Sequence, residues 1–137
     1  MPQLAKSTHV ESFLTTLRLD LSRVEAGVPT ATMADFATSS GIPLKNLYDV
    51  VIPARTLKHR RARREPLSRD ESDKLARVVR TFDHAVRVFS EPERARAWLE
   101  EPKRRFDNRT PLEMLRTETG GRMVEEFLGQ IEYGMFA

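Results

Sequence analysis

Leu75, Val78, Val79, Phe82, Val86 and Phe89 fall on one face of a helix, and this stripe dictates most of what the chain can become. It runs for about six turns and must be covered by other parts of the chain. Ser68 and Glu71 precede it at capping-box spacing, in which the hydroxyl accepts a first-turn amide and the carboxylate reaches back. The spacing predicts a long helix over 68–89. Around it, helical patterns recur with start and stop residues. Val10, Phe13, Leu14, Leu17 and Leu21 suggest a first helix ended by Gly27 and Pro29, and Met33, Phe36 and Ala37 a short second one closed at Ser39-Ser40-Gly41. Leu44, Leu47 and Val50 fit a third, begun by Pro43. Ser90 and Glu93 repeat the capping pattern before Ala95, Trp98 and Leu99, with Pro102 as the stop. Thr110-Pro111-Leu112-Glu113 is a third cap, with proline at the first helical position. Val124, Phe127, Leu128 and Ile131 mark the last helix. Strand signals are nearly absent. The expected fold class is all-α with six to eight helices, in an N-terminal part (1–66) and a C-terminal part (67–137) joined by the long helix.

Charge is distributed unevenly. The 137 residues carry a formal net charge of +3, yet Arg55, Lys58, Arg60, Arg61, Arg63 and Arg64, with His59 among them, occur before any acid, the next being Glu65. Residues 69–137 hold 13 basic and 14 acidic side chains. A positive field confined to one short stretch suits an anion, most often nucleic acid; the bland alternative is a solvated loop. Hydrophobic residues at 39% and charged ones at 31% give a soluble, globular composition rather than a disordered one. No apolar run spans a membrane, and Met1 to Val10 lack the pattern of a secretory signal. The absence of cysteine excludes disulfides, thiolate nucleophiles and cysteine-based zinc sites. A cytoplasmic location is expected.

A helix-turn-helix needs two short helices and a tight turn, so that the second helix can enter the major groove. Two registers fit. In one, Ala37 and Gly41 supply the packing and turn residues, and the second helix exposes Lys45, Asn46 and Asp49. In the other, Pro43 to Val51 supports, Ile52 packs the turn, and 53–61 reads the DNA with Leu57 as core anchor. Arg55, Thr56, Lys58, His59 and Arg61 would then face the bases and backbone, while Arg60, Arg63 and Arg64 would neutralise phosphates. The second register is favoured because it sets the cations where phosphates would lie.

From Leu67 onward the order of elements is more specific: Leu67-Ser68 and Glu71 into the long helix, Phe89, Ala95 to Leu99, Thr110-Pro111-Leu112-Glu113, Thr117-Glu118-Thr119-Gly120, then Val124, Leu128 and Ile131 to Gly134. This order resembles the Xre/MbcA/ParS family of antitoxins, and Ile52-Pro53-Ala54-Arg55-Thr56-Leu57 resembles the Xre-type helix-turn-helix that precedes that module. The resemblance covers about 27–137. Two departures fall in loops, where Ser90 and Asn108 stand at positions that are commonly glycine. The resemblance implies a RES-domain toxin as partner, an enzyme that consumes NAD or uses it to modify a protein. It also implies neutralisation by the antitoxin's C-terminal end, which would cover the active-site entrance. Tyr133-Gly134-Met135-Phe136-Ala137, aromatic and methionine-bearing, suits such an anchor, although a tail of this kind also tucks readily into its own core. Arg122, Glu125, Glu126 and Gln130 would form the rim of the same contact.

Nothing in the sequence resembles an active site. His9, His59 and His84 lack metal-ligand spacing, no glycine-rich phosphate loop occurs, and Asp83 and His84 point to different faces of one helix. Gly120-Gly121 could admit an anion at a helix start, but a helix N-cap is the simpler reading. Trp98 reads as core. The expectation is a non-enzymatic antitoxin without cofactor or metal, dimeric on operator DNA through the long helix and the Trp98 helix. The alternative is a helix-turn-helix regulator with a C-terminal dimerisation module and no toxin.

Overall fold

The computed structural model describes residues 12–134. Eight α-helices lie among them: α1 (Phe13–Thr16), α2 (Leu21–Ala26), α3 (Thr30–Ser40), α4 (Ala54–Ala62), α5 (Arg69–Phe89), α6 (Pro92–Leu99), α7 (Pro111–Met114) and α8 (Glu118–Glu132). One-turn 3-10 helices occupy Leu44–Leu47 and Arg104–Phe106. No β-strand forms among the described residues, and none of their helices is long and apolar enough to cross a membrane. The fold is all-α, as expected.

Helix α5 is the axis. Both halves of its capping box form, with the Glu71 amide donating to Ser68 Oγ at 3.1 Å and the Ser68 amide donating to Glu71 Oε1 at 2.7 Å. Leu75, Val78, Val79, Phe82, Ala85 and Val86 are buried along it, where α1, α2, α6 and α8 pack. A buried leucine or phenylalanine contributes about 1.5–3 kcal/mol, so this stripe is a principal source of stability. Two aromatic groups flank the axis. Phe13, Phe36 and Phe82 meet edge to face on the N-terminal side, with ring centroids 5.2–6.1 Å apart. On the other, Trp98 packs between Phe89 and Phe127 at 5.7 and 5.4 Å, half-buried against the core rather than within it.

Several local expectations are corrected. The single helix expected across Phe13 to Leu21 is two, because Arg18 turns at φ 57° and Asp20 caps α2 by accepting the Arg23 amide at 2.9 Å. Val10 lies outside the described residues. The helix expected over 43–51 shrinks to the 3-10 turn. Asp49 sits at φ 67°, and Val50, Val51 and Ile52 are a buried β-branched run that resists continuation. Ser90 does not cap α6. It lies at φ 71° and closes α5, donating its amide to Val86 O at 2.7 Å, while α6 starts at Pro92 without a side-chain cap. That conformation explains why glycine is common there, and Asn108, at φ 66°, repeats the explanation in the loop before α7. The Thr110–Glu113 capping box forms as expected.

One long-range cap was invisible in the sequence. Asp83, buried on α5, accepts Ser12 Oγ at 2.8 Å and the amides of Phe13 and Leu14 at 2.8 and 3.0 Å. It satisfies the free donors of α1 from 69 to 71 residues away.

Candidate functional site

Helix α4 begins after Pro53, whose fixed φ suits a helix entry. Leu57 is buried and pins the helix to the core, and α3 packs against it. With Leu57 inward, Arg55, Lys58, His59 and Arg63 emerge together around Ala62 and line one shallow depression. All four are exposed, and among the described residues none forms an ion pair. Thr56 is half-buried beside them. Arg61 and Arg64 flank a second depression with Pro29, Thr30 and Ala31 at the start of α3. The basic stretch therefore continues as helix to Ala62 and turns at Arg64, φ 57°.

Arg60 does not join this surface. Its guanidinium forks onto Glu71, Nε to Oε1 at 3.1 Å and Nη2 to Oε2 at 3.0 Å, with Glu65 at 3.8 Å. The same carboxylate completes the capping box of α5, so Arg60 ties α4 to the axis. Glu71 is pulled up by burial, but Arg60 and the Ser68 amide outweigh this and hold it below the usual carboxylate value. The Glu71 hydrogen bond, opposed by burial, raises Arg60. Lys45 is also apart. It lines a separate hollow with Asn46, Asp49, Glu100 and Arg116, where Asn46 Nδ2 donates to Glu100 Oε1 at 3.3 Å. Of the two helix-turn-helix registers, only the second places a full helix at its reading position, but its supporting helix over Pro43 to Val51 does not form, and α3 packs against α4 instead.

At the other end lies α8. Thr117 caps it by accepting the Gly120 amide at 3.0 Å, in agreement with the simpler reading of Gly120-Gly121. Both glycines admit neighbours: a Cβ on Gly120 would stand 2.0 Å from Met114 O, and one on Gly121 3.0 Å from Arg77 Cδ. Arg77 is itself buried and donates to Leu115 O at 2.9 Å. Val124 and Leu128 are buried against the core.

The flanks and outer side of α8 carry its charged and polar groups. Arg122 donates to Glu118 at 2.7 Å, and Arg105 donates to Gln130 Oε1 at 2.9 Å while lying over the Phe127 ring. His84 on α5 bonds Glu125 through Nδ1 and Glu132 through Nε2, the latter at 3.1 Å. Thr81 Oγ1 donates to the second oxygen of Glu125 at 2.9 Å. The Glu125 bond holds His84 above its ordinary value against the pull of burial, with Glu132 adding to it and Arg87 opposing. Burial raises Glu125, but His84 and Thr81 outweigh it and keep it low. Glu126 is exposed and unpaired among the described residues, and Tyr133 is 82% exposed. Gly134, at φ 70°, is exposed. Met135, Phe136 and Ala137 lie outside the described residues, as does His9.

Comparison with known proteins agrees with this arrangement. Residues 21–80 match the antitoxin Xre-like helix-turn-helix domain, and residues 84–134 match the antitoxin Xre/MbcA/ParS C-terminal toxin-binding domain. The chain is 48% identical over 97 residues to an antitoxin Xre of Pseudomonas putida, covering 71% of this chain and 61% of the relative. It is 36% identical over 87 residues to an antitoxin Xre of Yersinia enterocolitica, covering 63% and 59%. A Prs ADP-ribosylating antitoxin of Sphingobium is 26% identical over 124 residues, covering 83% and 78%. The chain thus spans about three fifths of the length of the two Xre relatives. With both domains matched in this order, the chain belongs to the Xre/MbcA/ParS family of antitoxins.

Proposed function

We propose that this chain is the antitoxin of a type II toxin–antitoxin system, without catalytic activity of its own. It neutralises a RES-domain toxin that consumes NAD by covering the active-site entrance with its C-terminal end. It also binds operator DNA to regulate its own transcription. The observation that carries the reading is the pairing, in one chain, of an Xre-like helix-turn-helix domain with a toxin-binding domain. The name of the Sphingobium relative supports a toxin chemistry in which ADP-ribose is transferred, one of the two uses of NAD expected of such a toxin.

The DNA surface is α4, supported by α3. Arg55 reads a base edge, with Thr56, Lys58 and His59 beside it, and Arg61, Arg63 and Arg64 meet phosphates. Arg60 acts as a strut for this helix, and Lys45 is peripheral. One helix of this length contacts few bases, so a dimer on a palindromic operator in the cytoplasm is the expected working form. The toxin surface comprises Arg122, Glu125, Glu126, Gln130 and Tyr133, continuing into Gly134, Met135, Phe136 and Ala137.

The test is co-expression with the neighbouring reading frame. The reading predicts a partner that is toxic alone, a stable complex on size exclusion, and restored growth. Removing 133–137 is expected to abolish rescue while leaving the fold and operator binding intact. Full rescue by the truncated chain would remove the C-terminal end from the mechanism. A partner that is neither toxic nor bound would leave a DNA-binding regulator.

A further inference from the structure

Helix α8 contains three glycines, and the fold accounts for two of them. Gly120 and Gly121 lie where Met114 O and Arg77 would collide with any side chain. Gly129 has no such neighbour among the described residues, since a Cβ built there meets nothing of theirs within 4 Å. It sits inside the helix, where glycine is less stable than alanine, so among the described residues it has a cost and no return. Its surroundings show where a return would come from. Arg122, Glu126, Gly129 and Tyr133 follow one another at spacings of four, three and four along one side of α8. His84 straddles the glycine from α5, bonding Glu125 on one side and Glu132 on the other. One imidazole thus braces the helix across its weakest residue.

We propose that the Gly129 side of α8 is the docking face for the toxin, and that a backbone segment of the toxin packs directly against Gly129. The inference rests on the function proposed above and adds the contact that fixes it. The occupant is the toxin because this face lies within the matched toxin-binding domain and is continuous with the exposed Tyr133 that leads into the C-terminal end. The charge of the face sets the partner's chemistry. Arg122 is already paired with Glu118, whereas Glu126 is exposed and unpaired among the described residues, so the approaching segment carries a basic side chain beside its close contact.

The experiment compares Gly129→Ala and Gly129→Leu with the wild type, measuring Tm and the affinity of the purified toxin from the neighbouring reading frame. Gly129→Ala raises Tm by about 3 °C, because the side chain is gained without a clash. Gly129→Leu keeps a Tm at or above that of the wild type and loses at least about tenfold in toxin affinity, because the added side chain holds the segment off. Glu126→Lys weakens the complex further. Wild-type toxin affinity in Gly129→Leu would overturn the inference, as would a fall in Tm for Gly129→Ala, which would give the glycine a reason inside the fold. Failure of the wild-type chain to bind that toxin would overturn the proposed function itself, and this inference with it.

Discussion

Helix α4 presents Arg55, Lys58 and Arg63 with no carboxylate partner among the described residues, whereas α8 has most of its charges already engaged: Arg122 by Glu118, and Glu125 and Glu132 by His84. Unpaired cations keep their full field, which suits a polyanion bound through many phosphates and sensitive to salt. Paired charges cancel at a distance and stiffen the surface that bears them, which suits recognition by shape. The two ends of the molecule differ in how much charge they leave free, and this difference favours the proposed division of labour, DNA at one and protein at the other.

The largest expected effect contrasts two glycines on α8. Gly120→Ala places a methyl 2.0 Å from Met114 O and is expected to destabilise the fold by about 3 kcal/mol or more, seen as a lower urea midpoint. Gly129→Ala moves the other way. Next come the cations of α4. Arg55→Ala is expected to lose about 1–3 kcal/mol of operator binding and to relax specificity at one position. Replacing Arg63 and Arg64 together weakens binding to all sequences and flattens its salt dependence; an unchanged slope would remove the phosphate assignment. Arg60→Ala sharpens the distinction, since it lowers stability through the lost Glu71 fork and leaves base specificity unaltered.

Ser90→Gly is expected to stabilise by about 1 kcal/mol, because serine at φ 71° bears a strain that glycine does not. Asn108→Gly gains less, since asparagine tolerates this conformation better. The smallest effect is pH dependence at the α8 brace. His84 is raised above 6.5, so its contribution is full below that value and is lost as pH rises through the folded value. Glu125 is lowered below 4.5, and its contribution fails only in acid. The brace is strongest between these limits. Tm should fall slightly from pH 6 to pH 8.5, and this part of the fall should be absent in His84→Gln.

The sequence made the long helix legible because its stripe and cap are local and redundant, and it exposed the basic stretch because charge sums along the chain. It misled where a backbone turn decided the matter. Asp49 and Ser90 adopt left-handed conformations that no side-chain pattern announces, so one expected helix became a single turn and one expected N-cap became a C-cap. Arg60 looked like its neighbours, and only its place beside Glu71 sets it apart from the unpaired cations. Gly129 could not be separated from Gly120 and Gly121, because what distinguishes them is the distance to atoms elsewhere in the fold.

The proposed function requires the two surfaces to be separate. It is tested most directly by titrating operator DNA and purified toxin, each on its own, against two folded variants, Arg55→Ala/Arg63→Ala and Gly129→Leu. The first is expected to lose DNA and keep the toxin, and the second to lose the toxin and keep DNA. A folded variant that lost both ligands together would contradict it.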